Sequence, residues 1–184
     1  MTSPDSRPVA FAGSGRTSDT EELERAELYG LLASRWLAAP DDALLQQFSV
    51  AVTQAPETGG HLEAPWNDLV AALRATTASE AAAEYEALFQ GVGKPEVFAY
   101  GSYYLSGALH DKALAQLRTD LVALGLARDE SRMETEDHIA FVFEVMRWLI
   151  AGDDAATANL EQQRRFFRAH VQTWVGQLCA AVQA

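Results

Sequence analysis

The sequence predicts an all-α fold, a single-domain helical bundle built around one buried central helix. Three observations carry that expectation. Apolar residues recur at three-to-four spacing in segment after segment, each bounded by proline, glycine or capping residues. No stretch alternates strictly between apolar and polar residues with the β-branched enrichment and flanking turns of a strand. The segment from about 134 to 151 carries Ile139, Phe141, Val142, Phe143, Val145, Met146, Trp148, Leu149 and Ile150 almost all the way round, the pattern of a helix enclosed by its neighbours.

Residues 1–17 read as a disordered leader, rich in Ser, Gly, Pro and Arg and without an apolar signal-peptide core; residues 18–184 form the domain. Thr17 to Thr20 offer N-cap oxygens, Glu21, Glu22 and Glu24 suit a first turn, and Leu28, Leu31, Leu32 and Trp36 form one apolar face. Pro40 ends this helix and opens a second through Leu44, Leu45, Phe48 and Val52. A loop over 56–60 leads to a third helix near Pro65, with Trp66, Leu69, Val70 and Leu73. Ser79 and Glu80 are expected to cap a fourth, Ala81 to Phe89, stopped by Gly91 and Gly93. After an irregular, aromatic stretch from Gly91 to Gly101, a helix from about Ala108 to Leu124 ends at Gly125. A charged loop reaches Met133, the central helix follows, and Gly152 stops it. Asp153 and Asp154 open a last helical run with a break near His170.

The 184 residues suffice for one full core, and 48% hydrophobic against 22% charged residues argues against disorder. A formal net charge of -12 disfavours nucleic-acid backbones and anionic membranes. Cys179, the single cysteine, excludes an intrachain disulfide and reads as a small core filler beside Leu178 and Ala180. No apolar run approaches the roughly 18 residues of a membrane span, and the chain reads as cytoplasmic.

No phosphate-binding Gly-Lys-Ser/Thr loop, Gly-x-Ser-x-Gly or His-Glu-x-x-His is present. Three clusters remain. In Met133-Glu134-Thr135-Glu136-Asp137-His138, helical spacing would bring Glu134, Asp137 and His138 to one face, as a plain first turn, as a ligand site or as a hydrogen-bonding anchor for a neighbouring loop. Tyr85 to Phe89 and Phe98 to Tyr104 flank a Gly/Pro loop, as core or as an apolar peptide groove. Gln163 to His170, with Trp174 beyond, reads as a solvated helix face around Arg164 and Arg165.

In order, Tyr85-x-x-Leu88-Phe89, Tyr100-x-Ser102-x-Tyr104, Gly125-Leu126, Glu134-x-x-Asp137-His138-Ile139 and Phe166-Phe167-x-x-His170-x-x-x-Trp174 resemble the TorD/DmsD family of redox-enzyme maturation chaperones. Ala99 and Thr173 stand where that family often has proline. The resemblance implies a cytoplasmic, non-enzymatic chaperone, as monomer or homodimer, without catalytic residue, cofactor or metal. Its partners would be the twin-arginine signal peptide and the body of a molybdopterin-containing oxidoreductase, held back from export until the cofactor is in place. Carried over by position, Leu88, Phe89, Tyr100, Ser102 and Tyr104 would line the peptide groove, with Tyr29 beside it, and Glu134, Asp137 and His138 would form its polar part. Two other readings are a metal-dependent helical phosphohydrolase using His110, Asp111, Asp137 and His138, and a helical scaffold without signal-peptide recognition.

Overall fold

The computed structural model describes residues 17–50, 60–91, 94–129, 131–152, 156 and 158–184. Among the described residues the secondary structure is helical apart from one isolated β-bridge. The expected leader thus lies outside the described residues except for Thr17, where α1 (Thr17–Leu37) begins. Val52, the 56–59 part of the expected loop, Gly93, Asp153 and Asp154 also lie outside them.

Helix α2 (Asp42–Val50) follows Pro40, and α3 (Glu63–Ala75) holds Pro65 within its first turn, where a missing amide hydrogen costs nothing. Their apolar faces close a small satellite core of Phe48, Val70 and Leu73, which Arg74 joins by donating from Nε to the Phe48 carbonyl at 2.9 Å. Helix α4 (Ala78–Phe89) starts earlier than expected. Its cap is Thr77, not Ser79: Thr77 Oγ1 accepts the Glu80 amide at 3.3 Å and Glu80 Oε2 accepts the Thr77 amide at 3.0 Å.

A short helix, α5 (Gly101–Ser106), occupies part of the stretch read as loop, and α6 (Lys112–Ala123) begins later than Ala108, capped by Asp111. Gly125, at φ +75°, closes α6 in a Schellman motif, with its amide on the Val122 carbonyl and that of Leu126 on Leu121. The central helix, α7 (Ile139–Ala151), is one turn shorter than the sequence predicts: residues 134–138 are its lead-in. Helices α8 (Leu160–His170) and α9 (Val175–Val182) are separated by the expected break just past His170, and Asn159 caps α8.

Helix α7 buries Ile139, Ala140, Val142, Phe143, Met146, Leu149 and Ile150, which makes it the axis of the main core. Helix α1 makes the most extensive pairing with it. Arg25, near the start of α1, donates to Gln163, which in turn donates to the Leu149 carbonyl near the end of α7. At the other end the Trp36 carbonyl accepts from Tyr85, which feels the charge of Glu134 just ahead of α7. The two helices therefore run antiparallel. The C-terminal pair is fastened by His170 Nε2, 2.8 Å from Asp120 on α6, and by Trp174 Nε1, which donates to the His170 carbonyl at 2.6 Å. Burial pushes the Asp120 carboxyl up, but hydrogen bonds from His170 and Gln116 and the nearby charges more than offset this and leave it below its usual range. Cys179 is exposed, contrary to expectation: Leu178 takes the inward position on α9, and the next residue is turned about 100° away.

Candidate functional site

Two sequence-distant segments meet at the head of α7 and make a clasp. The extended run before α5 pairs with the lead-in of α7 through an antiparallel bridge between Tyr100 and His138. The Gly101 amide donates to the Asp137 carbonyl at 2.9 Å, and the Ile139 amide to the Ala99 carbonyl at 2.8 Å. The end of α4 joins the same assembly, because the Val97 amide donates to the Leu88 carbonyl at 2.9 Å.

Glu134, Asp137 and His138 therefore do not share a helical first turn. Asp137 and His138 precede the helix and serve as caps, a use that needs extended backbone; His138 sits at ψ 133°. Its Nδ1 accepts the Ala140 amide at 3.3 Å, so the neutral ring carries its proton on Nε2. Asp137 caps a different helix. One carboxylate oxygen accepts the Ser102 amide at the start of α5 at 2.9 Å, and the other accepts the Thr135 hydroxyl at 2.7 Å. Ser102 Oγ in turn accepts the amide of His110 at 3.1 Å, at the one described non-glycine residue with positive φ (+64°). Gly101 allows a close approach: a Cβ there would lie 3.0 Å from the Trp174 ring, which would have to give by a few tenths of an ångström.

Aromatic rings surround this polar knot. Tyr100 meets His138 edge-on at 5.0 Å, and His138 lies 5.9 Å from Phe141. Phe98 stacks on Tyr103 at 4.3 Å, and Tyr104 on Trp174 at 5.7 Å. On the neighbouring side Phe89 packs against Trp36 at 5.5 Å and Tyr85 at 5.0 Å.

The electrostatics single out one carboxylate. Glu136 is taken by Arg118 in a two-pronged ion pair at 3.0 and 2.9 Å, and Asp129 accepts the Ser131 amide at 2.9 Å. Glu134 has no ion pair or side-chain hydrogen bond among the described residues, and its charge acts on three rings. Burial first, then Glu134, raises the Tyr85 and Tyr100 hydroxyls above their ordinary range. His138 is pushed down to about 4 by burial, against the opposing pull of Glu134 and Asp137, and is neutral at pH 7.

Of the residues carried over by resemblance, Leu88, Phe89, Tyr100, Ser102, Glu134, Asp137 and His138 all belong to the clasp or its flank. Ser102, Asp137 and His138 are buried and hold the segments together, whereas Leu88, Phe89, Tyr100 and Glu134 are half-buried and line its surface. Tyr104 also stands half-buried but turns toward α9, where it feels Cys179. Tyr29 stands apart, edge-on to Phe143 at 5.5 Å and lining a separate cleft with Met146 and Phe167. Tyr85 belongs with Glu134 and Phe89, although the resemblance did not assign it to the groove. Its (i, i+4) spacing from Phe89 was the available signal. Asp111 is spent on capping α6, and among the described residues no three His, Cys, Asp or Glu side chains could hold a metal ion. Nor is any described helix long and apolar enough to cross a membrane.

Among the described residues the domain is all-helical, and its polar knot gathers aromatic rings beside Glu134. The family model described as nitrate reductase delta subunit matches residues 56–180, and the chain belongs to that family, which takes in the NarJ- and TorD-like chaperones of molybdoenzyme maturation. It is a family of chaperones, not of catalysts. A search of curated proteins finds no match.

Proposed function

We propose that this chain is a cytoplasmic chaperone that binds the twin-arginine signal peptide and the apo form of a molybdopterin oxidoreductase, aids cofactor insertion and delays export. The observation that carries the reading is Glu134, a half-buried carboxylate without an ion-pair partner among the described residues, set beside Tyr85 and Tyr100. A guanidinium presents paired donors that fit a carboxylate two-pronged, and its flat face stacks on aromatic rings. The apolar stretch that follows the arginines in such a signal would lie on Tyr100, Phe89 and Leu88. Ser102, Asp137 and His138 contribute by holding that face in shape.

The test is calorimetric titration with twin-arginine presequences of the same organism's molybdoenzymes, beside twin-lysine and scrambled controls. Glu134→Gln should weaken binding about tenfold or more, the worth of one charged hydrogen bond, with an unchanged thermal melt. The reading fails if no presequence binds better than its scrambled control and loss of the gene leaves those enzymes active. Equal binding of a client lacking its presequence would instead make the protein a scaffold.

A further inference from the structure

Helix α8 carries a basic face on a strongly acidic protein. Its inward side is occupied by Gln163, Phe166 and His170, all buried. One flank then presents Leu160, Arg164 and Phe167 at (i, i+4, i+7) spacing, with Arg168 one turn beyond Arg164. Leu160 is 62% exposed. Arg164 and Arg168 are exposed and ion-pair with no acid among the described residues, although the chain as a whole holds 26 acids against 14 bases. Arg165, on the other flank, already reaches Asp120 at 3.5 Å.

This flank borders a cleft of about 320 Å³ between α1, α7 and α8, floored by Tyr29, Met146 and Phe167 and edged by Leu160 and Arg164. Its end is closed by Arg25, held by Glu22 at 2.8 Å and by Gln163. An apolar cleft of this size takes bulky side chains, and a free cationic rim selects what accompanies them. We propose that the α1–α8 cleft docks an acidic segment of a protein partner, with one or two apolar side chains in the cleft and carboxylates on Arg164 and Arg168. The surface is opposite in sign to the Glu134 face, so two segments of opposite charge are held by one domain at separate places. The proposal rests on α8 and the cleft it forms with α1 and α7, and stands or falls independently of the twin-arginine reading.

The experiment uses the full chain and a fluorescein-labelled peptide of Asp and Glu around a central Leu-Phe pair, beside a Lys counterpart of the same length. Anisotropy should show saturable binding of the acidic peptide only, weakening as salt rises. The double variant Arg164→Glu/Arg168→Glu should lose roughly tenfold or more in affinity, and Leu160→Ala should weaken it independently of charge. Both positions are exposed, and circular dichroism melts establish that the variants fold. Glu134→Gln should bind the acidic peptide as wild type does, and a twin-arginine presequence should not displace it. Absence of saturable binding, equal binding of the Lys peptide, or full affinity in the double variant overturns the proposal. So does a dimer, or binding to phosphatidylglycerol vesicles, that the double variant abolishes while no peptide is bound.

Discussion

Protonation of His138 should make this fold acid-sensitive in a window set by one buried ring. The imidazole is 7% exposed and its pKa is lowered from 6.5 to about 4, mainly by burial. Because the folded value lies below the unfolded one, the unfolded chain binds the extra proton between them. The stabilisation is complete above pH ~6.5, falls as the pH drops, and stops changing on this account below about 4. Each pH unit inside the window is worth about 1.4 kcal/mol, so lowering the pH from 7.5 to 5 should remove about 2 kcal/mol. That range lies above the ordinary titration of Asp and Glu. His138→Asn keeps an acceptor for the Ala140 amide, since Asn is a good N-cap, and removes the titration. Urea unfolding followed by circular dichroism at pH 7.5, 6 and 5, on both proteins, isolates the term as a difference. If wild type and variant lose stability in parallel, the buried neutral ring is not the acid-sensitive group.

Asp137→Ala should cost about 2–3 kcal/mol in the same urea assay, because it leaves the buried Ser102 amide and the Thr135 hydroxyl without their acceptor; a loss under about 0.5 kcal/mol would contradict the cap. Gly101→Ala should cost roughly 1–3 kcal/mol and shift tryptophan fluorescence, as the new methyl presses on the Trp174 ring. Glu134→Gln should lower the apparent pKa of Tyr85 and Tyr100 in an ultraviolet phenol titration by removing the nearby charge, and an unaltered titration would place Glu134 elsewhere. His110→Gly should leave stability unchanged or raise it by up to about 1 kcal/mol, since its φ of +64° strains any residue with a Cβ.

The helices legible in the sequence are those whose signals are local. An apolar girdle marked α7 as the axis of the core, Gly125 marked the end of α6, and a break near His170 was expected. Helix α5 was hidden because its six residues are too few for a periodic pattern and its cap, Asp137, lies 35 residues beyond Ser102. The lead-in to α7 was read as helix because Glu, Asp and His suit a first turn as well as they suit caps. Only the pairing of Tyr100 with His138 decides between the two, and no local pattern encodes it. Gathering Leu88, Phe89, Tyr100 and Glu134 on one surface followed from resemblance, whereas the burial of Ser102 and Asp137 and the separate place of Tyr29 needed the packed structure. Cys179 was misplaced because its apolar neighbours hid which of them faces inward.

The clasp also divides the chain topologically. The stretch from Gly101 to Asp137 begins and ends at one neck, so α5 and α6, with Leu117 and Leu121 packed in the main core, form a closed loop whose two ends are tied by a few main-chain hydrogen bonds. A neck of this kind opens as a unit, and the amides of Gly101, Ser102 and Ile139 should share one hydrogen-exchange rate. Tyr100 stands on one side of the neck and Glu134 on the other. A peptide bridging them would therefore act as a bolt across the loop, and the tighter it binds the more slowly those three amides would exchange.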